Sequence, residues 1–136
     1  MIGRLVIFVC HQKSSIFTVE VVMAIDPKTI SMRQDLFGGV GRVAVATILR
    51  DSGPFVVTLW CALDAGASVG PHRQAKHPEQ IICVAGNGEI VIDGRRNPFS
   101  TGDAYHVPFG AVLALTNPSQ APLEYLIIKA KNGISV

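Results

Sequence analysis

The stretch GASVGPHRQAKHPEQIICVAG, residues 66–86, gathers two of the chain's four histidines with two glutamines and a glutamate. Side chains alternate along an extended strand, so His72 and Gln74 project to one side and Arg73 to the other. The turn AKHP, residues 75–78, then reverses the chain and brings Glu79 alongside that pair. Pro78 biases the residue before it toward extended geometry, which puts His77 on the same side as Glu79. From Glu79 the run EQIICVA is apolar on both faces, with Ile81, Cys83 and Ala85 on one side and Ile82 and Val84 on the other. The stretch reads as strand, turn, strand, delivering a small polar set to the inside of a sheet structure.

Outward from it the same grammar repeats. Arg42–Leu49 stops at RDSGP, and Phe55–Leu63 stops at DAGA. Glu79–Ala85 is followed by GNG, which reads as a hairpin turn, and Glu89–Ile92 ends at DGRRN. Ala104–Val107, Val112–Thr116 and Leu123–Ala130 complete the series. None of these runs carries a 3.6-residue period, and the chain's thirteen glycines and eight prolines are scattered among and around them. The pattern predicts an all-β sandwich or barrel with short connections. Residues 24–41 are the least regular, with DPKT a turn or short helical start and FGGVG a flexible joint.

Two spacings in this region resemble the paired motifs of the cupin superfamily. The first motif, G-x5-H-x-H-x3,4-E-x6-G, is met by Gly66, His72, Glu79 and Gly86, with Gln74 at the second histidine. The second, G-x5-P-x-G-x2-H-x3-N, is met by Gly102, Pro108, Gly110 and Asn117, with Leu113 at the histidine. The resemblance implies a double-stranded β-helix, or jelly-roll, barrel over residues 42–136. Residues 1–41 are then an N-terminal extension that is partly strand or foreign to the natural chain. It also implies a mouth pocket built from His72, Gln74, Glu79 and Leu113, with Trp60 and Tyr105 as core or wall.

Metal-binding members of that superfamily hold three imidazoles and one carboxylate, a set suited to a divalent Mn, Fe, Ni or Zn. Here Gln74 offers only an amide and Leu113 offers nothing, so the resemblance implies a degenerate metal site. His77 could restore a triad of two histidines and one carboxylate with His72 and Glu79, while His106, of opposite parity to Tyr105 and Val107, is expected to face away. The plainer alternative makes His72, Gln74 and Glu79 hydrogen-bonded pocket groups and His77 a solvated turn residue.

Composition narrows the function classes. Formal charge is +2 from twelve basic and ten acidic residues, and no basic cluster points to nucleic acid. Cys10, Cys61 and Cys83 are odd in number and widely spaced, which reads as buried thiols in a reducing compartment. The opening MIGRLVIFVC carries an apolar run of only six residues, Leu5–Cys10. A secretory core takes about 7–15 such residues, and a membrane helix about 20. The chain is therefore read as cytoplasmic, without a membrane partner. Met23 is a second candidate start, and Leu5–Cys10 with Ser15–Val22 are alternatively two extra strands.

Forty-nine per cent of the residues are hydrophobic and mean hydropathy is +0.37. With strands apolar on both faces, this predicts a homodimer that covers an outer sheet face. Three functions follow as expectations. One is a small-molecule-binding barrel; another is a metal-dependent oxygenase or isomerase acting on a small organic acid or sugar derivative; the last is a structural or regulatory dimer with a vestigial pocket.

Overall fold

The structure, a computed structural model, describes residues 4–9 and 19–132. Strands β1 (Arg4–Val9) and β2 (Val19–Ala24) pair as a two-stranded antiparallel ladder. Cys10 and Ser15–Thr18 lie outside the described residues, while Val19–Val22 belong to β2. A 3-10 turn at Pro27–Thr29 leads into β3 (Ile30–Gln34). A second 3-10 turn, Leu36–Gly38, precedes β4 (Arg42–Ser52) and β5 (Phe55–Leu63). The remaining strands are β6 (Ser68–Arg73), β7 (Glu79–Ala85), β8 (Asn87–Ile92), β9 (Arg95–Ser100), β10 (Ala104–Val107), β11 (Val112–Thr116) and β12 (Leu123–Ala130).

They form a six-stranded sheet in the order β10-β7-β12-β5-β4-β3 and a four-stranded sheet in the order β6-β11-β8-β9, every pairing antiparallel. One core joins the two inner faces. Val43, Leu63, Ile81 and Tyr125 from the larger sheet pack with Val69, Ile90, Phe99 and Leu115 from the smaller one. This is the jelly-roll barrel that the motif spacing predicts.

The turn chemistry differs from the expectation at one corner. GNG is no hairpin: β7 and β8 lie in different sheets, and the chain crosses between them at Gly86. The hairpin comes one strand later, where Asp93 and Gly94 both take positive φ (48° and 79°) between β8 and β9. That pair of left-handed residues is the two-residue loop whose twist matches the flanking strands. β3 and β9 have no counterpart in the sequence reading because both are polar edge strands. Their sequences ISMRQ and RRNPFS carry arginines and a proline where an inner strand would be apolar.

Asn117, the last motif position, is buried and ties the end of β11 to two other segments. Its amide Nδ2 donates to the carbonyls of Leu63, Asp64 and Ala121 at 3.0, 3.1 and 2.8 Å. Its Oδ1 accepts from the Ser119 hydroxyl at 2.7 Å. One side chain thus satisfies carbonyls at a corner where the backbone leaves its ladders.

The irregular segment Asp35–Gly41 is a strap laid on β6. The Ser68 amide donates to the Val40 carbonyl at 2.8 Å, and the Val40 amide donates to the Ser68 hydroxyl at 2.9 Å. Two glycines face each other where strap and strand touch. A methyl group on Gly70 would run into the carbonyl of Phe37, and one on Gly39 into the carbonyl of Ser68. The expected flexible joint at FGGVG is therefore a packed contact between two backbones.

Gly70→Ala forces that contact apart, and overpacking of this kind costs about 1–3 kcal/mol. Urea unfolding should show a loss in that range, together with a shift of the His72 ring resonances as the strap lifts. Unchanged stability would mean that the strap is not seated on β6.

Candidate functional site

Alternation along β12 decides what reaches the inside. Tyr125, Ile127 and Lys129 share one face, and the ladders set them beside specific partners. Tyr125 pairs with Cys61 and Cys83, Ile127 with Leu59 and Ile81, and Lys129 with Val57 and Glu79. Beneath the strap these residues enclose a cavity of about 260 Å³. Its wall is mainly apolar, with Val43, Val45, Leu59, Leu113, Leu115 and Ile127. Leu36 and Phe37 reach it from the strap, and Arg33 from β3. Its polar groups are His72, Glu79, Lys129, Cys61 and Tyr125.

Glu79 is 3% exposed, and its Oε2 lies 3.6 Å from Nζ of Lys129. The second carboxylate oxygen, Oε1, is buried and has no partner in the protein. Burial raises the Glu79 pKa above the usual carboxylate value, and the Lys129 ammonium pulls against that rise. The pair sets a buried carboxylate against a partly exposed ammonium in an otherwise oily wall.

His72 owes its direction to a bulge. Leu113 pairs with His72 and Leu115 with Val69, so β6 carries one extra residue between those two pairs. The His72 Nδ1 lies 2.9 Å from the Gly70 carbonyl, which can only accept; Nδ1 therefore carries the proton and Nε2 is an acceptor. The ring stacks on Phe37, with centroids 4.0 Å apart and planes 13° from parallel. Burial, ahead of the nearby Lys129 charge, lowers the His72 pKa, while the Gly70 hydrogen bond works against the shift. The ring is held neutral.

Tyr125 and Cys61 are cross-strand partners. Burial pushes the Cys61 thiol up to about 12 and holds the Tyr125 phenol well above its ordinary value. Both keep their protons at neutral pH, so Cys61 is not a thiolate nucleophile.

Only part of the expected set converges. His72, Glu79 and Leu113 line the cavity; Gln74, His77, Trp60 and Tyr105 do not. Gln74 is buried (4% exposed), but β6 ends at Arg73, so the two-residue alternation from His72 stops before reaching it. Instead the Gln74 backbone pairs with Ala111 and Gly110. His77 is half-buried in the turn outside the cavity, so the two-histidine triad is not assembled. Trp60 is 1% exposed but packs with Ile25, Ala44, Ala46 and Ala62 in a second cluster, because the inward place on β5 belongs to its neighbour Cys61. Tyr105 packs against the main core and donates to the Pro98 carbonyl at 2.7 Å, beyond the cavity. His106 pairs with Gln80 and is exposed.

The donors do not fit a divalent metal. One imidazole nitrogen and one carboxylate share the cavity, the carboxylate already faces an ammonium, and Leu113 stands across from His72. Among the described residues, no three of His, Cys, Asp and Glu group so as to hold an ion. Lys129, Phe37, Cys61 and Tyr125 complete the site, and none was expected there. Nothing in the sequence singles out Lys129; the β7–β12 register shows it opposite Glu79.

Comparisons with known proteins agree with this architecture. The family model described as "Cupin domain" matches residues 59–129, more than half of the chain. No curated protein matches it. A predicted oxalate decarboxylase from Thermotoga maritima superposes with a TM-score of 0.72 at 23% identity, covering 80% of this chain and 99% of its own. A cupin 2 conserved barrel domain protein from Salinispora arenicola reaches 0.58 at 26% identity, over 66% of this chain and 76% of its own. KdgF from a Halomonas species reaches 0.61 at 16% identity, over 80% and 94%. The first and third of these likenesses are likenesses of fold.

The raised Glu79 pKa has a sign that can be measured. A raised carboxyl pKa adds stability below its unfolded value and loses it as pH climbs through the folded value. At pH 8 the barrel carries the cost of a buried carboxylate that a glutamine would not impose. Glu79→Gln should raise the melting temperature at pH 8 and change it much less at pH 4. An equal effect at both values, or a loss at pH 8, would show that the Lys129 pair outweighs burial.

Proposed function

The chain belongs to the cupin family, and from that premise we propose that it is a small-molecule-binding barrel whose Glu79 cavity works without a transition metal. The observation that carries this reading is the cavity itself: about 260 Å³, mainly apolar, roofed by the strap and holding a few convergent polar groups. The metal-dependent oxygenase or isomerase acting on an organic acid or sugar derivative finds little support in the donor set, where a lysine and a leucine stand in the places an ion would need free. The decarboxylase named among the structural neighbours lends its fold to the argument and not its reaction.

Protein expressed without a histidine tag in medium supplemented with Mn, Fe, Ni and Zn should contain no stoichiometric metal, and its melting temperature should not respond to those ions. A bound small molecule at one hundred times its dissociation constant adds about 2.7 kcal/mol of stability, so a thermal-shift screen of small organic compounds should register binders. Stoichiometric metal that disappears in His72→Ala would overturn the metal-free reading.

The same reading makes the protein a cytoplasmic homodimer. The half-buried outer-face residues Ile82, Val84, Leu126 and Ile128 sit on adjacent strands of the larger sheet. A second copy would cover them. Light scattering during size exclusion should give twice the chain mass, and a monomeric mass at micromolar concentration would overturn the dimer.

A further inference from the structure

If the cavity is a ligand site, as proposed above, one residue sets how large an occupant it takes. Of the side chains around the cavity, only Phe37 and Arg33 are exposed, so the opening to water lies beside them. Arg33 is a long flexible chain on an edge strand and yields to whatever passes. Phe37 carries a rigid ring that stacks on His72, and the residue is 55% exposed.

The strap that bears this ring is held too firmly to swing as a lid. Its neck is closed by the Asp35 amide donating to the Gly41 carbonyl at 2.9 Å and the Gly41 amide donating to Asp35 Oδ1 at 2.8 Å. Its far side is fixed to β6 through Val40, Ser68 and the contact of Gly39 with Gly70. Lifting the strap would break these hydrogen bonds together. His72 is anchored as well, by its Nδ1 bond to the Gly70 carbonyl. The Phe37 ring has no hydrogen bond to hold it and rests on the stack with His72. Exposed side chains change rotamer far faster than backbone segments rearrange, so the ring is the part of the mouth that moves.

We propose that Phe37 is the size-determining residue of the site: an occupant that fits behind the ring leaves the His72 stack intact, and a longer one has to displace it. The occupants are compact and mainly apolar, because the floor of Leu113, Leu115, Cys61 and Tyr125 is buried. An apolar cavity of about 150 Å³ holds benzene; this one, at about 260 Å³, has room for a larger body before Phe37 is met.

The test uses the full chain and the straight-chain 1-alkanols from butanol to decanol, tail in the cavity and hydroxyl left in water, with binding followed by protein NMR at neutral pH. Each methylene that enters the cavity should tighten binding about four-fold until the space is full, where the gain stops. In Phe37→Ala the gain should continue beyond the length at which the unaltered protein levels off, again about four-fold per methylene. If that variant does not fold, Phe37→Gly removes the ring while suiting the left-handed backbone there. Nuclear Overhauser contacts between the Phe37 and His72 rings in the unaltered protein should persist with the short alkanols and fade with those past the stopping length. A stopping length that loss of the ring leaves unchanged, or ring contacts that survive the longest alkanol bound, overturns the size filter and leaves the cavity as a ligand site. Failure of every alkanol to bind either protein removes both readings.

Discussion

A carboxylate carried into an apolar interior has to be compensated, and the compensation of Glu79 shapes this barrel's mouth. Register places Lys129 directly across the β7–β12 ladder, so the charge is met by a neighbour that belongs to the same face. Half of the carboxylate is left over. That leftover oxygen, the neutral His72 and the leucine at 113 belong together: a site organised around an ammonium has no use for more imidazoles. The two departures from the family's motif, Gln74 and Leu113, thus accompany a cation that the protein supplies from its own last strand.

How much of this was readable in the chain depended on burial. Phe55–Leu63, Glu79–Ala85, Ala104–Val107, Val112–Thr116 and Leu123–Ala130 have the bounds that their apolar runs and flanking turn residues indicate. The motif glycines and Asn117 point to the architecture because they sit where the backbone must turn or be tied. β3 and β9 stayed hidden because an edge strand with one face in water need not be apolar.

The site was legible only in its first half. His72 and Glu79 follow from spacing, but Gln74 does not, since a strand that ends one residue early cancels the parity argument. Trp60 shows a related limit. β5 is apolar on both faces, and nothing in its composition tells which face is inner; the cross-strand partners settle it in favour of Cys61. Lys129 and Phe37 could not be placed without the fold, because each acts on a segment far away in sequence.

Phe37 holds a backbone conformation that suits glycine better, with φ of 54°, and the residue is 55% exposed. A bulky residue in that region costs on the order of 1–3 kcal/mol unless its surroundings hold it there. The holding is done by main chain, through Val40, Ser68 and the facing glycines, and the side chain adds little to the core. The strap also lies outside the stretch that matches the family, residues 59–129. Side-chain identity at position 37 is therefore set by the mouth rather than by the core: the ring touches His72 and the cavity, so a change there would reshape the entrance while leaving the barrel's packing in place.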